Sequence, residues 1–186
     1  MIFQKTKEGI LYLHPYYPKR YVEHSGVSES IIAFKKNDQQ SIDRFTKEMK
    51  EALLEQMGND ASKLIGKCLV VLPSHSVGEW SKALLQMARK LCKELYMQDY
   101  SYALKRVTEH EKLTTGGDRS VDSHIATMKL DPAFDVKGKQ IIVLDDVATT
   151  GNSLFASYRI LISAGAKKVG AIVIGKTSEG TIPSVF

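Results

Sequence analysis

The side chains best suited to chemistry stand together between residues 141 and 154. Four apolar residues at 141–144 lead into Asp145 and Asp146, and hydroxyl-bearing and small residues follow at 149–153. Two adjacent carboxylates at the end of a strand are costly unless hydroxyl groups, a cation or basic side chains compensate their charge. The segment 149–153 stands at a predicted helix start, where N–H groups and the positive end of the helix dipole suit a phosphate. This order of residues predicts a site for a ribose 5-phosphate group.

A structural interpretation of the same run is also open. The two acids could begin a turn, with Thr150 or Ser153 as an ordinary cap of the following helix. An isolated pair of aspartates would favour that interpretation. The complete order of apolar, acidic, hydroxyl-bearing and glycine residues favours the binding site instead.

A second candidate anion site is the turn at residues 72–78, which follows a buried apolar run. Its polar members are Ser74, His75 and Ser76, and it ends in Gly78. Small residues let backbone amides approach an anion, and a helix start nearby adds positive potential. An ordinary strand-to-helix turn is the alternative, and His75 either donates to the anion or closes the turn.

The segment 105–119 is polar and largely without the periodicity of a helix or a strand. Long irregular segments inside compact domains are often functional. Its basic side chains could neutralise an anionic leaving group, and its acids and histidine could accept a proton. The basic candidates are Lys105, Arg106, Lys112 and Arg119, and the candidate proton acceptors are Glu109, His110 and Glu111. A solvated surface loop of mixed charge is the alternative.

The elements that must position these residues alternate between strands and helices. Short apolar runs predict strands, whereas apolar residues at steps of three and four predict helices. The predicted strands are 68–72, 100–107, 140–144 and 169–175, and the predicted helices are 39–57, 79–97 and 151–164. This alternation predicts an α/β fold with a parallel sheet, helices on both faces and ligands at the carboxyl ends of the strands.

The N-terminal third differs from the rest of the chain in composition and lacks this alternation. Residues 1–38 combine aromatic residues with prolines and glycines, which predicts short strands and turns. We therefore expect a hood and helical segment at 1–60 and one compact core at 61–186. The aromatic residues could stack on a base or form a small satellite core; they include Tyr12, Tyr16, Tyr17 and Phe34.

The run at 141–154 resembles the signature of the type I phosphoribosyltransferases, which bind 5-phosphoribosyl 1-pyrophosphate. The resemblance extends over about residues 67–177 and is greatest to the ComF-type, amidophosphoribosyltransferase-like branch, with further support from segments 119–124 and 175–177. It implies a type I phosphoribosyltransferase-like, Rossmann-like parallel sheet flanked by helices, with a small N-terminal hood.

The same resemblance implies roles for the candidate residues. Asp145 and Asp146 would hold the ribose 2′- and 3′-hydroxyls and lie near Mg²⁺, directly or through water. The 5′-phosphate would be cradled by Thr149, Thr150, Gly151, Asn152 and Ser153. Pyrophosphate would be bound by Ser74, His75, Ser76 and Arg119, with Arg106 and Lys112 acting in catalysis. Some relatives have an acid in place of Thr149 that handles a proton of the nucleobase, so this function is here missing or supplied elsewhere.

Composition limits the other function classes. The chain has 186 residues and a net charge of +5, a mild bias that attracts phosphates without a long basic run, so we expect weak or no binding to nucleic acid. Cys68 and Cys92 are too far apart for a paired-cysteine zinc or redox site. No signal peptide or membrane-spanning run is present, which predicts a cytoplasmic protein without membrane contact. The oligomeric state stays open, a homodimer included.

The predicted function is Mg²⁺-dependent transfer of ribose 5-phosphate from phosphoribosyl pyrophosphate to a nitrogen nucleophile, a base or an amine, with release of pyrophosphate. The alternative is a non-catalytic regulator of the same fold, or a competence-type nucleic-acid-handling protein, that binds phosphoribosyl pyrophosphate or a nucleotide. The basic net charge and the threonine at 149 favour the alternative, whereas the pair Asp145 and Asp146 beside a long basic segment favours the enzyme.

Overall fold

The computed structural model describes residues 1–24, 26–108 and 120–181. Its elements in chain order are β1 (Gln4–Lys5), β2 (Leu11–Tyr16), α1 (Gly26–Lys35), α2 (Gln39–Gln56), β3 (Cys68–Val71), α3 (Lys82–Leu95), β4 (Gln98–Asp99), β5 (Leu104–Arg106), α4 (Val121–Thr127), β6 (Met128–Leu130), β7 (Gln140–Ala148), α5 (Asn152–Ser163) and β8 (Lys168–Thr177). A short 3-10 helix, Ala61–Leu64, precedes β3.

Six of the strands form one sheet in the order β1-β2-β8-β7-β3-β4. Only β1 and β2 pair in antiparallel fashion, and the other neighbours in this sheet are parallel. The strands β5 and β6 form a separate antiparallel pair. The predicted α/β fold with a mainly parallel sheet flanked by helices is therefore confirmed.

Two apolar clusters cover the two faces of the main sheet. On one face, α1, α2 and α3 contribute fully buried side chains, among them Phe34, Phe45, Met87 and Leu91. On the other face, α5 and the β5–β6 pair contribute Leu154, Leu161, Leu104 and Met128. Burial of apolar surface on both faces is the main favourable contribution to such a fold.

The helix predicted at 79–97 is α3, and capping residues mark both of its ends. Ser81 caps α3 by accepting a hydrogen bond from the Leu84 N–H at 3.3 Å. Tyr96 adopts a left-handed conformation (φ +53°) and ends the helix. Buried residues at steps of three and four, such as Leu84, Ala88 and Leu91, turn one face of α3 to the core.

The N-terminal segment differs from the prediction. Residues 26–35, expected to form strands and turns, form the helix α1, because Ile31 and Phe34 bury one helical face completely. The strand β2 pairs in parallel with β8, so residues 11–16 belong to the main sheet. The division into a segment 1–60 and a core 61–186 stays a prediction about how the chain is organised.

Three further elements differ from the sequence-based boundaries. The strand expected at 100–107 is limited to β5 and pairs with β6 outside the main sheet. The strand expected to end at Leu144 continues to Ala148, because β8 pairs with β7 along that length. Residues 121–127 form the helix α4. No described helix is both long and apolar enough to span a membrane.

Candidate functional site

A pocket of about 360 Å³ lies at the carboxyl ends of β3 and β7. The strand β3 stops at Val71, opposite Leu144, whereas β7 continues to Ala148. After Leu72, the Ser74 N–H would be the next to face β7, but it donates to the Glu79 carbonyl oxygen instead, so the chain turns away after β3 and leaves this edge of β7 open. The lining residues are Lys35, Leu72, Pro73, Ser74, His75, Ser81, Leu84, Arg106, His124, Asp145, Asp146, Val147, Ala148, Thr149, Thr150, Gly151 and Ser153.

The two predicted acids line this pocket from within β7. The backbone N–H of Asp146 donates to Asp145 Oδ1 at 2.8 Å, and Lys35 Nζ lies 2.9 Å from Asp146 Oδ1. Burial, and next the charge of Asp146, raise the pKa of Asp145 to about 8. The pair therefore differs internally: Asp146 has a cationic partner, whereas Asp145 favours its protonated form at neutral pH when no ligand is bound.

The segment predicted to bind phosphate forms the turn into α5. Asp38, Ser81 and Ser120 cap α2, α3 and α4 with their side chains, but α5 begins after Gly151 without a side-chain cap. The first N–H groups of a helix are strong donors to an anion. Thr149, Thr150, Gly151 and Ser153 line the pocket.

Asn152 differs from these four neighbours, because it is absent from the pocket lining among the described residues. Its backbone N–H lies 3.4 Å from Thr150 Oγ1. The structure thus brings together four of the five predicted phosphate-binding residues.

Thr149, which stands where some relatives have an acid, is exposed at the rim of the pocket. Its Oγ1 lies 3.1 Å from Thr177 Oγ1, and its carbonyl oxygen accepts a hydrogen bond from Lys176 Nζ at 2.8 Å. The end of β8 is thereby hydrogen-bonded to the start of the turn into α5, residues 149–151, which we refer to as the phosphate turn because phosphate binding is predicted there.

Arg106 at the end of β5 is 2% exposed and lines the pocket. Its Nε donates to the Ser74 carbonyl oxygen at 3.2 Å, and its Nη1 donates to Thr127 Oγ1 at 2.6 Å. Burial lowers the pKa of Arg106, although a guanidinium stays charged in proteins. Within the described part of the chain both of these hydrogen-bond partners are neutral, so this buried cation suits an anionic ligand.

The turn after β3 contributes less than predicted. Ser74 and His75 line the pocket, whereas Ser76 is not among the described lining residues. The Ser74 N–H donates to the Glu79 carbonyl oxygen at 2.9 Å, which closes the turn.

Other residues predicted from the segment 105–119 have different outcomes. Lys105 points to Asp131, with Nζ and Oδ2 at 3.1 Å, and is not in the described pocket lining. The remaining candidates lie outside the described residues; they are Glu109, His110, Glu111, Lys112 and Arg119.

Three polar pocket residues were missed by the sequence reasoning: Lys35, Ser81 and His124. Lys35 comes from α1, where turns were expected, so no local pattern pointed to it. Ser81 is recognisable as a helix cap but not as a pocket residue. His124, 7% exposed in α4, follows the segment 105–119, and that proximity was the one signal available.

Mg²⁺ fits this site only in combination with a ligand. No group of three or more histidine, cysteine or acidic side chains able to hold a metal ion occurs among the described residues. Mg²⁺ in proteins is commonly held by one or two carboxylates plus substrate oxygens. Asp145 and Asp146 match that requirement as the protein's share of the donor set.

Fold and pocket define an α/β protein with a site suited to a phosphorylated ligand that bears hydroxyl groups. Residues 83–186 match the family described as the phosphoribosyl transferase domain, and the chain belongs to this family. The match covers Arg106 and the whole run from Asp145 to Ser153, but not the turn at 72–78.

Several curated relatives are similar to parts of the chain. A ribose-phosphate pyrophosphokinase of Sulfurisphaera tokodaii is 24% identical over 148 residues, or 79% of this chain and 44% of that protein. An orotate phosphoribosyltransferase of the same organism is 46% identical over 46 residues, or 25% of this chain and 24% of that protein. The chain thus spans less than half the length of these relatives. They give no specific support to the ComF-type branch.

Solved structures of similar fold include a hypoxanthine phosphoribosyl transferase of Trypanosoma cruzi. It is 12% identical, with a TM-score of 0.49, over 92% of this chain and 77% of that one. A purine phosphoribosyltransferase from Pyrococcus horikoshii is 14% identical, with a TM-score of 0.44, over 78% of this chain and 92% of that one.

Proposed function

We propose that this protein transfers ribose 5-phosphate from phosphoribosyl pyrophosphate to a nitrogen nucleophile and releases pyrophosphate. One observation carries the proposal: the carboxylate pair, the N-terminus of α5 without a side-chain cap, and the buried Arg106 line the same pocket. Each of these groups is matched to a different part of one ligand.

Each part of the ligand is assigned to one group of pocket residues. The N-terminus of α5 and the hydroxyls of Thr149, Thr150 and Ser153 receive the 5′-phosphate. The carboxylates of Asp145 and Asp146 accept hydrogen bonds from the ribose hydroxyls. Arg106 and the turn at Ser74 and His75 receive the pyrophosphate group.

The reaction exchanges one bond at the anomeric carbon. The bond from C1 to the pyrophosphate oxygen breaks, and the oxygen keeps the electron pair. The nitrogen lone pair forms the new bond to C1, and a neutral nucleophile then loses one proton. A buried positive charge at Arg106 stabilises the negative charge that develops on the leaving group, without reorganisation of water. The carboxylates and the phosphate turn hold the ribose in one orientation for attack.

Mg²⁺, when bound with the ligand, would supply positive charge beside the pyrophosphate and the ribose hydroxyls. Asp145 and Asp146 are the side chains that would hold it, directly or through water. The residues outside the described ranges, Lys112 and Arg119 included, stay predicted contributors to catalysis and pyrophosphate binding.

The burial of the N-terminal aromatic residues limits which of them could contact an acceptor base. Phe34 is fully buried and packs edge-on against Phe45, with ring centroids 6.0 Å apart. Tyr12 and Tyr16 pack against the two apolar clusters. Phe34 therefore belongs to the main core on one face of the sheet, neither to a satellite core nor to a base site, and stacking on a base is left to the tyrosines. The proposal accordingly names a nitrogen acceptor, base or amine, without choosing between them.

The relatives support the ribose-phosphate part of this proposal. Proteins named as a ribose-phosphate pyrophosphokinase and an orotate phosphoribosyltransferase are similar to this chain. Both names include a phosphorylated ribose. A cytoplasmic location and a homodimer stay predictions.

A second candidate is a non-catalytic protein that binds nucleic acid or a nucleotide, and one surface favours it. Five lysines lie at the amino ends of β3, β7 and β8, and we refer to them as the lysine edge: Lys67, Lys137, Lys139, Lys167 and Lys168. The Lys167 N–H donates to the Lys139 carbonyl oxygen at 2.8 Å, and Lys67 Nζ donates to Gln140, the partner of Lys168 in β8. None of the five appears in an ion pair among the described residues.

Release of pyrophosphate distinguishes the two candidates. The protein is incubated with phosphoribosyl pyrophosphate, Mg²⁺ and each member of a panel of purine bases, pyrimidine bases and ammonia. We expect release with at least one acceptor, and loss of release in the double variant Asp145→Asn with Asp146→Asn. Glu55→Gln, an exposed acid of α2, is the matched control and should behave as the wild type.

Binding measured by calorimetry completes this test. If phosphoribosyl pyrophosphate binds tightly but no acceptor yields pyrophosphate, the non-catalytic candidate is correct. Undiminished binding by the folded double variant would show that the carboxylates do not recognise the ribose, and the proposed site would then be wrong.

A further inference from the structure

Lys35 brings a positive charge into the pocket from outside the motif that defines the site. Its Nζ lies 2.9 Å from Asp146 Oδ1, and it lines the pocket together with both acids. Among the described residues, this is the ion pair recorded for the carboxylate pair. The contact joins the last residue of α1 to the middle of the sheet.

The position of Lys35 is determined by the packing of α1. Ile31 and Lys35 are four residues apart and share one helical face. Ile31 is fully buried, and its Cδ1 would lie only 3.0 Å from a Cβ atom at Gly175. The missing side chain at Gly175 thus lets α1 approach the sheet and place the following turn beside Asp146.

The end of α1 is also held by backbone contacts. Asn37 adopts a left-handed conformation (φ +64°), and its N–H donates to the Phe34 carbonyl oxygen at 2.9 Å. The Asp38 N–H donates to the Ala33 carbonyl oxygen at 3.1 Å, and the Asp38 side chain caps α2 by accepting a hydrogen bond from the Ser41 N–H. Lys35 therefore stands at a defined junction between two helices, although its side chain is 42% exposed.

A cation beside two adjacent acids stabilises their ionised forms. Two adjacent carboxylates repel each other, and ionisation of both is costly without a compensating charge. Burial opposes the charge on Lys35, but Asp146 and next Asp145 outweigh this effect and raise the pKa of Lys35. The ion pair uses one oxygen of Asp146, so the other can accept a hydrogen bond from a ligand hydroxyl.

We propose that Lys35 is a positioning residue of the ribose site, whose ammonium group holds the Asp146 side chain in place as an acceptor for a ribose hydroxyl. The inference rests on the proposed function, because it presumes that Asp146 binds ribose. Lys35 and Mg²⁺ then supply positive charge to the same carboxylate pair. Removal of Lys35 should therefore matter most when Mg²⁺ is absent.

The test measures ribose 5-phosphate binding by calorimetry, once with a chelator and once with Mg²⁺. Lys35→Met removes the charge and keeps most of the side-chain length, whereas Lys35→Arg keeps the charge. Lys36→Met is the matched control, because Lys36 is the next residue of the same segment, exposed and outside the pocket lining. With chelator we expect about tenfold weaker binding for Lys35→Met, the size of one lost charge-assisted hydrogen bond.

With Mg²⁺ the loss in Lys35→Met should shrink to about threefold or less, because the metal supplies the missing charge. Lys36→Met and Lys35→Arg should stay within about threefold of the wild type under both conditions. Lys35→Gln is the second charge-removing variant, with the same expected losses, should Lys35→Met fold poorly.

A ligand-free readout uses denaturant unfolding of Lys35→Met, Asp146→Asn and the double variant. The effects of the two substitutions should be non-additive, because each removes the same contact. The effects of Lys36→Met and Asp146→Asn should add.

The possible results separate the two claims. If the wild type binds ribose 5-phosphate but Lys35→Met matches Lys36→Met in chelator, the role of Lys35 is wrong and the proposed function stands. An equal loss with and without Mg²⁺ also overturns the role. If the wild type binds neither ribose 5-phosphate nor phosphoribosyl pyrophosphate under either condition, the proposed function is wrong and the role of Lys35 falls with it.

Discussion

Asp145 and Asp146 are neighbours in the chain but have different partners in the pocket. Asp146 pairs with Lys35, whereas Asp145 accepts a hydrogen bond from the Asp146 backbone and has no cation in direct contact among the described residues. One carboxyl is therefore held by an ion pair, and burial raises the pKa of the other. Two adjacent acids thus stand in different electrostatic surroundings.

This difference predicts how stability depends on pH. The pKa of Asp145 is raised from an ordinary value of 3.8 to about 8, so the folded state keeps a proton that the unfolded state has lost. The stability contributed by this proton is complete below about pH 4 and is lost as the pH rises through 8. Asp145→Asn should remove this loss, since the amide oxygen can still accept the hydrogen bond from Asp146.

Urea unfolding of the ligand-free protein at pH 5 and pH 8 measures the effect. Between these values the wild type should lose about 1–3 kcal/mol more than Asp145→Asn. Asp122→Asn, an exposed acid of α4, should follow the wild type. Identical pH dependence in the wild type and Asp145→Asn would show that Asp145 is ionised throughout this range.

Arg106 permits a second prediction at the residue scale. Its buried guanidinium faces the pocket, while the neighbouring Lys105 is engaged with Asp131. Arg106→Met should weaken pyrophosphate binding in the presence of Mg²⁺ by about 1.5–3 kcal/mol, the usual contribution of hydrogen bonds to a charged group. Calorimetry with Lys105→Met as control should show little change for that variant, and equal losses in both variants would place the pyrophosphate elsewhere.

At the scale of elements, the site depends on the unequal lengths of two neighbouring strands. β3 ends at Val71, while β7 extends to Ala148 and leads through one turn into α5. The carboxylates and the helix N-terminus therefore belong to a single strand–turn–helix unit. The end of α1 and the start of α3 complete the pocket from one face of the sheet.

The turn into α5 requires a glycine. Gly151 has a φ of +83°, and a Cβ atom there would lie 2.7 Å from Ile10 Cδ1 and 3.3 Å from the Phe155 ring. Gly151→Ala should lower the free energy of unfolding by about 1–3 kcal/mol and should weaken ribose 5-phosphate binding, because the N-terminus of α5 must shift.

Gly170→Ala is the control for this prediction. Gly170 lies in β8, has no positive φ, and a Cβ atom there would meet nothing within 4 Å. Thermal unfolding and calorimetry should show a near-neutral effect for Gly170→Ala. A similar result for Gly151→Ala would mean that the turn tolerates a side chain and is not strained.

At the scale of the whole molecule, the two edges of the parallel sheet differ in chemistry. The pocket lies at the carboxyl ends of the strands, and the lysine edge lies at their amino ends. Burial, and next the charge of Lys168, lower the pKa of Lys67, which reflects the crowding of positive charge there. A polyanion attracted to the lysine edge would bind away from the ribose site.

We therefore expect single-stranded nucleic acid to bind weakly, with a dissociation constant of about 10⁻⁴–10⁻⁶ M at physiological salt. Phosphoribosyl pyrophosphate should not compete with it. The double variant Lys167→Gln with Lys168→Gln should make the slope of log K against log salt concentration less negative. The change should be roughly 0.7 per lost phosphate contact. Fluorescence anisotropy with a labelled oligonucleotide measures both effects.

The control for the lysine edge is Lys82→Gln with Lys93→Gln, two exposed lysines of α3. This pair should leave the salt dependence unchanged. Binding that persists at high salt, or that phosphoribosyl pyrophosphate abolishes, would show that nucleic acid occupies the ribose pocket instead.

The sequence by itself determined the parts of the protein that are continuous in the chain. The run from Asp145 to Ser153 could be interpreted before the fold was known, because its strand, turn and helix are specified by neighbouring residues. The same holds for the parallel sheet, since apolar runs alternate with amphipathic helices. The predicted end of β7, at Leu144, is too early. The residues that follow start with two acids and do not resemble a buried strand, but they pair with β8.

Only the tertiary structure decided which distant residues share the pocket. Lys35, Ser81 and His124 come from three helices and meet β7 through packing of Ile31 against Gly175 and of apolar faces against the sheet. Such contacts depend on how buried surfaces fit together, and no local spacing encodes that fit. The charge balance of the site, with Lys35 paired to Asp146 and Arg106 lining the same pocket, is therefore a property of the folded chain.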